Sequence, residues 1–75
     1  MKIAVSGATG SLGKAVMQHL TDQGHELLGL GRNEAKIQAL EDEGFAMRKC
    51  DILDVNAIEN SIIGIDVLVH CAAFA

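Results

Sequence analysis

Gly7, Gly10 and Gly13 stand three residues apart in the segment KIAVSGATGSLGKAV, residues 2–16, with Thr9 and Ser11 between them. Glycine lacks a Cβ, so such a loop can turn sharply and let its backbone N–H groups close on an anion. Three kinds of loop have this look: a plain flexible connection, a triphosphate loop and a dinucleotide loop. A triphosphate loop needs G-x-x-x-x-G-K-[ST]. Here five residues separate Gly7 from Gly13, and Ala15 follows Lys14, so the hydroxyl that would hold magnesium is missing. The dinucleotide spacing fits better. One glycine supplies the turn, the second the close approach to pyrophosphate, and the third the close packing of the following helix. Thr9, Ser11 and Leu12 lie where backbone or hydroxyl donors could reach phosphate.

A second charged candidate stands at ELLGLGRN, residues 26–33. An acidic residue about 20 positions beyond the glycines would bond the ribose 2′-hydroxyl of NAD and repel a 2′-phosphate. Arg32 occurs 19 residues after Gly13, and neither Gly31 nor Arg32 is acidic. A guanidinium there suits a 2′-phosphate, with Asn33 and Lys36 in support. The expected cofactor is therefore NADP(H), with NAD(H) as the alternative.

These residues need elements to hold them. Short β-prone runs fall near residues 2–6, 26–31, 45–49 and 66–70, and stretches with helical spacing lie between them. Leu12, Ala15, Val16 and Leu20 mark one helical face, stopped by Gly24. Ala35, Ile37 and Leu40 mark a second helix, entered by Asn33 and Glu34 and ended by Gly44. Val55, Ile58 and Ile62 mark a third, with Asp54 as its N-cap and Gly64 at its end. The alternation predicts an α/β fold: a partial Rossmann fold with a four-stranded parallel sheet in the order 3-2-1-4 and three helices. A full doubly wound domain has six strands. Residues 1–75 are thus expected to be a dinucleotide-binding half-domain whose fourth strand is open to a fifth, or to a second copy of the chain.

Composition narrows the classes. With 75 residues the chain is at most one small domain, and 49% apolar residues exclude disorder by composition. The net charge of −4 excludes a basic nucleic-acid surface. No apolar run approaches the roughly 18 residues a membrane span requires, and the N-terminus does not read as a signal peptide, so a cytoplasmic location is expected. Cys50 and Cys71 form no CxxC or Cys/His cluster; two free, buried thiols are expected, and no metal site. His19 and His25 are expected at the surface.

Three motifs together resemble the extended short-chain dehydrogenase/reductase family, which includes sugar-nucleotide epimerases and dehydratases, dihydroflavonol reductases and 3β-hydroxysteroid dehydrogenase-like enzymes. SGATGSLG is close to its TGxxGxxG, with Ser6 in the usual Thr position. CDILD is similar to its G-D-[LI]-x-D segment, with Cys50 in place of Gly. DVLVHCAAFA looks like its VxHxAA strand ending. The resemblance implies that Asp51 and Ile52 contact the adenine ring, and that Ala72 and Ala73 lie along the cofactor. His70 matches the family His and is expected as a packed, hydrogen-bonded core residue. It also implies hydride chemistry by a Tyr-x-x-x-Lys pair with a Ser or Thr, on a small-molecule substrate held by later segments. This chain contains no Tyr, so no catalytic residue is assigned. The expected role is the cofactor-binding part of a reductase or epimerase. A non-catalytic NADP-sensing module and a stand-alone half-domain are the alternatives.

Overall fold

The structure, a computed structural model, describes residues 1–51 and 54–71. Strands β1 (Lys2–Ser6), β2 (Glu26–Gly31), β3 (Met47–Lys49) and β4 (Val67–His70) alternate with helices α1 (Ser11–Asp22), α2 (Glu34–Asp42) and α3 (Val55–Ser61). The sheet order is β3-β2-β1-β4, and every pairing is parallel. The expected architecture is therefore the one found.

β1 is central because its apolar run suits burial on both faces. Ile3, Ala4 and Val5 are all buried. Ile3 and Val5 join Met17, Val16 and Leu20 of α1 on one face, with Leu27, Phe45 and Met47 beside them. Ala4 joins Leu30, Cys50 and Ile58 of α3 on the other. Cys50 and Cys71 are buried and free, and they belong to these opposite clusters. The sheet lies between them, so they cannot bridge.

Helix boundaries follow local chemistry. Asn33 accepts the Lys36 N–H at 3.1 Å and caps α2. The Asp54 carbonyl accepts the first bond of α3, from Ile58 N–H at 3.1 Å. Gly24, Gly44 and Gly64 follow the helices at φ +89°, +99° and +79°, conformations that side chains with a Cβ rarely adopt.

Three expectations need correction. The buried face of α1 is Gly13, Val16, Met17 and Leu20, while Leu12 and Ala15 are exposed. The i, i+3, i+4, i+7 stripe starts on a glycine, which an apolar count passes over. In α2, Ala35 is exposed, and Ile37 and Leu40 carry the packing. β3 is shorter than residues 45–49, because the Phe45 N–H turns back to the Leu40 carbonyl at 3.1 Å and ends α2 instead.

β4 is fastened to β1 at its start. The Asp66 N–H donates to the Lys2 carbonyl at 2.8 Å, and the Lys2 N–H donates to Asp66 Oδ2 at 2.9 Å. Its outer side is uncovered among the described residues, and Val67 and Leu68 are exposed. Among the described residues no helix is long and apolar enough to cross a membrane.

Candidate dinucleotide site

In a parallel sheet the loops that can meet a ligand gather at the carboxyl ends of the strands. β1 ends at Ser6, and Gly7 turns the chain at φ +68°. A Cβ on Gly7 would fall on the backbone carbonyl of Cys71, just beyond β4. The Ala8 N–H donates to the Leu30 carbonyl at 3.2 Å, and the Gly10 N–H to the Gly7 carbonyl at 3.1 Å. The loop is thus tied to β2 by one hydrogen bond, closed by another within itself, and packed against the backbone that follows β4.

Gly10 is the N-cap of α1, in an extended conformation with no side-chain cap, and no acidic residue stands in the first turn. The first intrahelical bond runs from Lys14 N–H to the Gly10 carbonyl, at 3.0 Å. The N–H groups of Ser11, Leu12 and Gly13 precede it, so they have no helix carbonyl to bond. They sit at the positive end of a 12-residue helix. α2 is the contrast: it opens on a capping Asn33 and carries Glu34 in its first turn. One helix caps its own N-terminus with a side chain, and the other does not. Gly13 brings α1 close to the loop. A Cβ there would lie 2.7 Å from Ala8 Cα and 2.8 Å from the Gly7 carbonyl carbon.

Arg32 follows β2 and Asp51 follows β3, on the same edge of the sheet as the loop. The Cys50 N–H donates to the Gly31 carbonyl at 2.8 Å and sets the two strand ends side by side. Arg32 Nη1 lies 3.9 Å from Asp51 Oδ2, with side chains 71% and 45% exposed. A pair this long and this wet holds little energy, so the guanidinium can turn to a ligand at small cost. The nearby Lys49 is committed elsewhere, to Glu34 at 2.7 Å. That hydrogen bond, with the ammonium charge behind it, holds the Glu34 carboxyl below its ordinary range.

Gly7, Thr9 and Gly10 therefore form a loop that runs into Ser11, Leu12 and Gly13 in the first turn of α1, and Arg32 and Asp51 lie at the same end of the sheet. Ile52, Ala72 and Ala73 lie outside the described residues. His70 departs from expectation. It is exposed, because β4 is an edge strand, yet its Nδ1 lies 2.5 Å from Ser6 Oγ and the pair is hydrogen-bonded. Ser6 is buried, so His70 satisfies a hydroxyl that would otherwise lack a partner at the end of β1. His19 is exposed as expected and His25 half-buried. His25 lines a shallow cleft of about 280 Å³ with Thr21, Leu27 and Phe45, at the opposite edge of the sheet.

Two features escaped the sequence reading. One is the Ser6–His70 bond. The other is the packing of Gly31, where the three atoms nearest an added Cβ all belong to Thr9. A glycine inside a strand is itself a signal of close approach, and ELLGLG carries two.

A family described as NAD(P)H-binding matches residues 7–75. An uncharacterized protein of Mycobacterium bovis is 39% identical over 72 residues, which cover 96% of this chain and 8% of that protein. Among solved structures, a nucleoside-diphosphate-sugar epimerase from Pseudomonas aeruginosa is 31% identical with a TM-score of 0.82, over 95% of this chain and 24% of that one. A serine dehydrogenase complexed with NADP+ is 28% identical with a TM-score of 0.78, over 91% of this chain and 32% of that one. The chain spans a third or less of the length of each of these proteins.

Proposed function

The chain belongs to the NAD(P)H-binding family, and on that premise we propose that residues 1–75 are the cofactor-binding half-domain of a reductase or epimerase of the extended short-chain dehydrogenase type, with NADP(H) preferred over NAD(H). The observation that carries the reading is the uncapped N-terminus of α1, opened by Gly10 and kept clear of acidic side chains. The pyrophosphate rests on the N–H groups of Ser11, Leu12 and Gly13, with Thr9 and Ser11 hydroxyls beside it. Asp51 takes the adenine amine. Arg32 takes the 2′-phosphate in place of its long contact to Asp51. The NADP+ held by the similar serine dehydrogenase supports the same preference. Ile52, Ala72 and Ala73 complete the proposal on the family resemblance alone. Substrate binding and hydride transfer belong to segments of the kind that the longer relatives carry.

Calorimetric titration of the 75-residue protein with NADPH and NADH tests the reading. NADPH is expected to bind more tightly. Arg32→Ala should remove that difference, a loss of roughly ten- to a hundredfold in NADPH affinity for a charge-assisted contact. Equal affinities in the wild type, or a preference that survives Arg32→Ala, would refute the assignment of Arg32.

A further inference from the structure

Position 31 ends β2, where a carboxylate would bond a ribose 2′-hydroxyl. The backbone does not require glycine there, since Gly31 is not among the residues of positive φ. What excludes a side chain is Thr9. A Cβ on Gly31 would lie 2.6 Å from Thr9 Cγ2 and 3.4 Å from Thr9 Oγ1, but an unstrained 3.6 Å from Thr9 Cβ. The three nearest atoms all belong to that one residue, and the obstruction is its Cγ2, since 3.4 Å to Oγ1 is ordinary contact.

A β-branched side chain such as that of Thr9 is stiff at χ1 and has few ways to step aside. The loop that carries it is tied down on both sides, by Ala8 N–H to Leu30 and by Gly10 N–H to Gly7. The residue beyond Gly31 is Arg32, whose guanidinium faces the same edge of the sheet.

We propose that Thr9 is a specificity-determining residue of the cofactor site. Its side chain fills the space that a residue at position 31 would need, and so shuts out the carboxylate that would favour NAD(H). This rests on the reading of the edge as a dinucleotide site, and adds that the glycine loop and the strand-end selector are one coupled unit. A change of cofactor then needs both positions at once.

Two sets of variants test it. For packing, Gly31→Ala should lower the Tm by about 5 °C or more, and adding Thr9→Ala should recover most of that loss. Additive losses in the double variant would overturn the steric coupling. For selectivity, NADH and NADPH are titrated by calorimetry into the wild type, Gly31→Asp and Thr9→Ala/Gly31→Asp. Gly31→Asp alone should weaken both nucleotides. The double variant should bind NADH at least about tenfold more tightly than Gly31→Asp alone, the scale of one good hydrogen bond to a charged group. Equal NADH affinities in these two variants would overturn the inference and leave the cofactor site standing. A wild type that binds neither nucleotide would overturn the cofactor reading, and the role of Thr9 with it.

Discussion

Gly13→Ala sets helix propensity against packing, and the two give opposite signs. Alanine in a helix interior is better than glycine by about 1 kcal/mol, and Gly13 has ordinary helical φ, so propensity alone predicts a more stable protein. The structure predicts the reverse. The new methyl would sit 2.7 Å from Ala8 Cα and 2.8 Å from the Gly7 carbonyl carbon, where ordinary contact begins near 3.4 Å. The three nearest atoms are all backbone, the Gly7 carbonyl oxygen closest of all, and the loop they belong to is held by the bonds of Ala8 and Gly10. Overpacking costs about 1–3 kcal/mol, and unyielding neighbours put this case at the upper end. After the helical gain, a net loss of about 2 kcal/mol remains, which is a Tm fall of roughly 8–16 °C in a domain of this size. Gly29→Ala is the companion variant. There the methyl would meet Met47 Sδ and the Sδ and Cε of Met17, the latter both at 2.9 Å. Thioether ends can swing away, so the cost should be about 1 kcal/mol or less. Thermal and urea unfolding followed by circular dichroism would rank the pair. A Gly13→Ala protein as stable as the wild type, or less affected than Gly29→Ala, would refute the argument from rigid backbone contact.

Asn33→Ala should destabilise the protein by about 1 kcal/mol through loss of the α2 cap, while Asn33→Asp should stay close to the wild type; urea midpoints measure both. The Glu34–Lys49 contact should give a small stabilisation that is present at neutral pH and lost as the pH falls through the lowered folded pKa of Glu34. Glu34→Gln should flatten that part of the acid limb, and high salt should shrink the effect in the wild type, because the carboxylate is fully exposed. An acid limb identical in the variant would show that the pair contributes nothing.

The strand order and the loop were readable because they rest on local signals of strong physical meaning. A continuous apolar run, three spaced glycines and a helix start follow one another in residues 2–16, and each element agrees with the next. The place of Arg32 just after β2 was readable for the same reason, from the strand run that precedes it. The face of α1 was not, because Gly13 packs by having no side chain and leaves no hydrophobic mark. The exposure of His70 depends on what covers an edge strand, which no local pattern states. The contact of Thr9 with Gly31 joins residues 22 positions apart. Spacing shows that glycine is present there, and only the fold shows which neighbour demands it.

The strand that carries the loop is the middle of the sheet, yet its partners come from residues 26–31 and from 67–70. During synthesis β1 can pair early with β2, the neighbour nearer in sequence. Its other side stays open until residue 70 has left the ribosome, since the Lys2–Asp66 clasp spans 64 positions. Contacts of such separation form slowly. Gly7 reaches its final surroundings only when Cys71 arrives beside it. The grip on a nucleotide is therefore complete only after β4 has paired with β1. A ligand of this site acts on the paired sheet, slowing its unfolding, and offers residues 1–31 no template before β4 arrives.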